Sequence, residues 1–198
     1  MAQFLVSETD PPAKRAILRE GLDLFAARGV DGVTIRDIAA RTGFTNPALF
    51  RHFKSKDALA LALFESCYGQ LAERFGRAAR DDEPLRELIG GCLQLMTEAP
   101  EAVHYVLENL RRFFPLLPDQ QRRNYILGSM RKVLTAEQRR GLIATDADVD
   151  LTAAVLLGTL AQLARMAYFG ELTRQPAALA DDLWDLVVNG IGVRGSRQ

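Results

Sequence analysis

Between residues 34 and 56 the chain carries side chains suited to contacts with nucleic acid. The Asn46 amide holds a donor and an acceptor in the spacing that pairs with an adenine edge, and Ala48 offers a methyl group to a thymine methyl. Arg51, His52 and Lys56 can reach phosphates or base edges, with Lys54 a further cation beside them. Thr34 stands at a helix start, where its hydroxyl and the neighbouring amides can bind a phosphate at the positive end of the helix dipole. Arg36, Thr45 and Phe50 complete the candidate DNA-binding set.

Other chemistries find little support. The only histidines are His52 and His104, and the sequence has no glycine-rich phosphate loop, CxxC, HExxH or GxSxG. No catalytic residue, metal or cofactor is expected. Cys67 and Cys92 each fall within an apolar helical pattern, which predicts buried free thiols in a reducing cytoplasm. Charge is unevenly placed on a chain of zero net charge: residues 11–60 hold nine Lys/Arg against five Asp/Glu, a net of +4. A basic end points to a polyanion, because neutralised phosphates release counterions.

The elements that position these side chains are all helical. Strand signals are nearly absent and apolar residues recur at helical spacing along the 198-residue chain, so the fold class is all-α, with about nine helices. Residues 1–11 read as a flexible tail without a signal-peptide pattern. A first helix spans about Pro12 to Arg28 on the stripe Ile17, Gly21, Leu24 and Phe25, with Gly29 as a left-handed cap. Thr34 and Asp37 are spaced as a capping box for a second, short helix that Gly43 ends, and Thr45 offers an N-cap for a third. In that third helix Leu49 and Phe53 form an i, i+4 core pair, which turns Ala48, Phe50 and Arg51 outward. Two short helices around a glycine-containing turn, held by a preceding helix, make the helix-turn-helix shape whose second element enters the major groove.

The run VTIRDIAARTGFTNPALFRHFKSKDAL closely resembles the DNA-binding segment of tetracycline-repressor-like (TetR family) regulators, and the likeness extends from about Ile17 through Leu59. It implies a helix-turn-helix domain over 12–58 and a C-terminal effector-binding and dimerisation domain over 59–198. It also implies a homodimer on a palindromic operator, with a small molecule moving the two reading heads out of register. Thr34, Thr45, Asn46, Ala48, Phe50, His52 and Lys56 align with DNA-contacting family positions, whereas Gly43, Leu49 and Phe53 align with positions that shape the fold. The family usually has tyrosine where this chain has Phe50, so a phosphate-binding hydroxyl is missing.

Beyond Leu59 the reading rests on periodicity. A helix from about Lys56 to Arg80 links the two domains, and Pro84, Pro100 and Pro118 each open a further helix. Met96, His104, Tyr105, Tyr125 and Met130 are candidates to line an effector pocket. His104, Glu108 and Arg112 share a helical face and read as a solvated ion-pair ladder, and the adjacent Gly90 and Gly91 cost a helix about 1 kcal/mol each. The apolar stretch Leu151 to Gly170 is interrupted by Gln162 and Arg165, which favours a buried helix of a soluble protein over a membrane span. Its alanines and Gly158 allow close approach, so the last two helices are expected to pair across a two-fold as a four-helix bundle. The competing reading is a helical ligand-binding or interaction protein that keeps this fold without operator binding.

Overall fold

Proline and glycine punctuation sets most of the helix boundaries in the computed structural model, which describes residues 10–123 and 126–191. The α-helices among them are α1 (Pro12–Arg28), α2 (Ile35–Thr42), α3 (Asn46–His52), α4 (Lys56–Ala78) and α5 (Pro84–Glu98). After these come α6 (Pro100–Phe113), α7 (Asp119–Arg123), α8 (Ile126–Arg140), α9 (Val149–Tyr168) and α10 (Ala180–Ile191), with 3-10 turns at Phe114–Leu116 and Pro176–Leu179. No β-strand occurs among the described residues, so the all-α expectation holds. The segment expected to open at Pro118 is divided: α7 is a five-residue turn, and the stripe Met130, Val133, Leu134 belongs to α8. The tail residues 1–9, and Tyr125, lie outside the described residues.

Contacts divide the chain into two units. The first runs to Gln70 and takes in Glu101–Leu117, and the second holds Leu71–Pro100 and the chain from Pro118 onward. The sequence expectation placed a division at 58/59, whereas most of α4 and all of α6 after Pro100 pack with the helix-turn-helix. The reason is aromatic: Tyr105 of α6 is fully buried, lies parallel to Phe25 at 6.2 Å and donates its hydroxyl to the Ala60 carbonyl at 2.8 Å. Phe113 packs on Phe64 at 5.6 Å and Phe114 meets Tyr68 edge-on at 5.5 Å. Burying each such side chain stabilises the unit by roughly 1.5–3 kcal/mol. α1 faces α4 at Gly21, where a Cβ would make ordinary contact, 3.4 Å, with the Leu59 and Leu63 side chains.

The second unit is built on Leu85, Ile89, Leu93, Met130, Val133, Leu134 and Ala153, all buried. Its helices are also joined by polar links: Arg131 to Asp150 at 2.6 Å, Arg86 to Asp181 at 3.0 Å, and the Ala177 amide to the Thr97 hydroxyl at 2.9 Å. Asp148 caps α9 by accepting the Asp150 and Leu151 amides. α9 is long and apolar enough to cross a membrane by length and composition. Part of its apolar surface is open within the single chain: Leu151 and Val155 lie one turn apart, 65% and 53% exposed, and Leu186 of α10 is 71% exposed.

Candidate nucleic-acid interface

The geometry begins at Gly29, whose φ of 70° and ψ of 160° fall in a region essentially closed to side-chain-bearing residues. This is a positive-φ turn but not the left-handed helical cap expected there, and it sends the chain away from α1. Val30 and Val33 are buried in the following loop. The loop ends in a complete capping box: the Asp37 amide donates to the Thr34 hydroxyl at 3.2 Å, and the Thr34 amide donates to the Asp37 carboxylate at 2.7 Å. The Thr34 hydroxyl also donates to Asp37, and Arg28 reaches the same carboxylate at 3.2 Å. Those hydrogen bonds, from the Thr34 hydroxyl first, hold the Asp37 carboxyl below the usual carboxylate range. The Thr34 hydroxyl is thus engaged with Asp37, and the α2 amides next in sequence are the donors without intrahelical acceptors.

α2 buries Ile38 and Ala39 and ends at Gly43 in the left-handed conformation, φ 72° and ψ 9°. The Thr42 hydroxyl donates to the Ile38 carbonyl at 2.9 Å, tightening the last turn. Thr45 then occupies the N-cap position of α3, but its side chain makes no capping hydrogen bond, so the cap expected from its type is backbone only. The Thr45 side chain stays exposed.

Along α3 the expected sorting holds for Leu49, Phe50 and Arg51, whereas Ala48, expected outward, is no more open than His52. Leu49 is buried, while Phe50 and Arg51 are exposed and Asn46, Ala48 and His52 half-buried. Phe53 is buried as expected, yet it is the extended residue just past the helix rather than part of it. Phe50 presents a large apolar ring to solvent, 48% exposed. Arg36, Arg51 and Lys54 are exposed, and no ion pair is recorded for them among the described residues. Lys56 is half-buried and donates to the Val30 carbonyl at 2.7 Å, so one of its three donors is already engaged.

Charge compensation extends beyond the helix-turn-helix. Arg112 of α6 donates to Asp31 at 2.9 Å and to Asp57 at 3.1 Å. The ladder expected for His104, Glu108 and Arg112 is therefore corrected: His104 is buried, and Arg112 is spent on two acids distant in sequence. Spacing gave no signal for these pairs, because Asp31 and Arg112 are 81 residues apart.

The effector candidates do not gather in one unit. His104 and Tyr105 belong to the first and Met96 and Met130 to the second, all four buried. Two concavities of the second unit are lined otherwise. One of about 90 Å³ is bounded by Arg74, Arg77, Leu88 and Gly91, and one of about 340 Å³ by Asp81, Arg86, Glu87 and Gly90. Cβ atoms at Gly90 and Gly91 would meet nothing within 4 Å, so the glycine pair borders open space on both.

A short trihelical head with a solvent-facing α3, in an otherwise helical chain, defines a helix-turn-helix DNA-binding protein. Residues 17–63 match the family model of bacterial regulatory proteins of the tetR family. The chain is 41% identical over 76 residues to the class A tetracycline repressor from transposon 1721 of Escherichia coli, a match covering 38% of this chain and 34% of that one. Over 189 residues it is 22% identical to YdgC, an uncharacterised HTH-type transcriptional regulator of Bacillus subtilis, covering 93% and 95% of the two chains. The solved structure of the ketosteroid transcriptional regulator KstR2 of Mycobacterium tuberculosis superposes with a TM-score of 0.80 at 20% identity, covering 96% of this chain and all of that one. Residues 17–63 therefore form a helix-turn-helix domain of the tetR type, and along nearly its whole length the chain is similar to HTH-type transcriptional regulators.

Proposed function

We propose that the chain is a cytoplasmic, homodimeric repressor that binds a palindromic operator through paired α3 helices and releases it when a small molecule binds within residues 59–198. The observation that carries the reading is the sorting of α3, whose core contact is Leu49 while Phe50 and Arg51 are exposed and Asn46, Ala48 and His52 are half-buried. In this reading Asn46 and Ala48 meet base edges. Arg36, Thr45, Arg51, His52 and Lys56 hold the phosphate backbone together with the α2 amides that follow the Thr34 cap, and Phe50 makes an apolar contact with sugar or methyl groups. The homodimer is supported by the open apolar side of α9 and α10, where Leu151, Val155 and Leu186 are exposed and Ala154 and Gly158 would let backbones approach. A dimer also supplies the two heads that adjacent major grooves, about 34–36 Å apart, require.

The test is a gel shift with the DNA upstream of the chain's own gene, read across a salt series beside light scattering on the free protein. A specific shift that weakens as salt rises, with a dimeric mass, is the expected result. Absence of any shift by a folded dimer would leave the helical ligand-binding reading instead.

A further inference from the structure

The carboxylates of the reading head differ in how their charge is met. Glu20 pairs with Arg41 at 2.8 Å and Asp37 with Arg28 at 3.2 Å, so each is balanced by a cation of the helix-turn-helix itself. Asp31 and Asp57 share one cation, Arg112, which lies outside the segment that matches the family model. These two acids stand beside Lys56: Asp57 follows it in sequence, and Asp31 follows Val30, whose carbonyl holds the Lys56 ammonium. The guanidinium is oriented by stacking over the Phe113 ring at 5.2 Å, and Phe113 is buried against Phe64.

Stability does not account for this arrangement. Asp31 is 85% and Asp57 69% exposed in their side chains, and ion pairs at such positions add little to folding. Near a polyanion the same charges matter more, because an unbalanced carboxylate within a Debye length of a phosphate, about 8–10 Å, opposes binding. We infer that Arg112 acts on DNA binding through Asp31 and Asp57: by offsetting one of the two negative charges beside Lys56, and holding both carboxylates toward itself, it lessens the repulsion between that edge of the head and the phosphate backbone. This rests on the DNA-binding reading above and extends the functional surface to α6.

The test measures binding of full-length protein to a labelled duplex carrying the sequence upstream of its own gene, at low and at high salt, with thermal unfolding alongside. Arg112→Gln is expected to weaken binding about tenfold at low salt and less at high salt, with little change in the unfolding midpoint. Adding Asp31→Asn and Asp57→Asn to that variant is expected to restore binding, because the carboxylates that Arg112 offset are gone. Binding by Arg112→Gln within twofold of the unaltered protein, or a folded triple variant that stays weak, would overturn the inference. Should Arg112→Gln unfold, the Asp31→Asn/Asp57→Asn pair with Arg112 intact decides the matter: binding at least as tight as the unaltered chain supports the inference, and weaker binding overturns it. Failure of the unaltered chain to bind the duplex at any salt removes the DNA-binding reading itself, and this inference with it.

Discussion

The carboxylate of Glu137, on α8, accepts the Leu85 amide in the first turn of α5 at 3.1 Å, across 52 residues of sequence. Helix α5 opens at Pro84, which has no amide proton, and Glu83 at its N-cap position makes no side-chain cap. Glu137 takes over that role from another helix while itself only 1% exposed, with Arg140 at 3.7 Å. Removing it leaves a buried amide without its acceptor. Glu137→Ala is expected to lower unfolding free energy by about 1–3 kcal/mol in urea titration, and Glu137→Gln, which keeps an acceptor oxygen, by less.

Thr34→Ala should cost the range typical of N-caps, about 0.5–2 kcal/mol, read as a lower urea midpoint. Asp37 gives the pH signature. Its folded carboxyl is held below the ordinary value of 3.8, chiefly by the Thr34 hydroxyl, so its contribution is complete above that value and is lost as pH falls through the depressed one. Asp37→Asn is expected to flatten the acid limb of a stability-against-pH curve. Asp23 has the opposite sign: desolvation, then the charges of Glu101 and Glu20, raise its carboxyl. Asp23→Asn should therefore raise the thermal midpoint at pH 7, and an unchanged or lower midpoint would contradict this assignment.

Leu49 and Asn46 are neighbours on α3 with different duties. Leu49 is 2% exposed, and its truncation to alanine typically costs about 2–5 kcal/mol, enough to unfold the head. Asn46→Ala should leave unfolding within about 0.5 kcal/mol of the parent while weakening operator binding. Circular dichroism and gel shift on the same preparations separate the two effects.

Phe50→Tyr adds a hydroxyl at a position already open to solvent. Tighter DNA binding with an unchanged melting temperature is the expected outcome, because the new hydroxyl can reach a phosphate. Unchanged affinity would place the ring away from the backbone.

Both thiols should be silent in the native state. Burial pushes the Cys67 thiol well up and that of Cys92 up to about 12, so neither supplies thiolate at neutral pH. Titration with a thiol reagent at pH 8 should count none in folded protein and two after denaturation.

How much of this was legible in the sequence depended on the range of the interaction. The bounds of α1, the Thr34 and Asp37 box, the stop at Gly43 and the outward Phe50 and Arg51 of α3 were all readable. Each is set by a residue's own backbone preference or by neighbours within four positions. The all-α class followed from the same periodicity. What lay beyond local spacing was decided by tertiary structure. The burial of Tyr105 against Phe25 brings α6 to the reading head, Arg112 reaches Asp31 and Asp57 instead of its helical neighbours, and Glu137 caps a helix 52 residues away. A guanidinium or a carboxylate has the same local pattern whichever partner it meets. Only packing, which fixes which helices touch, selects the partner.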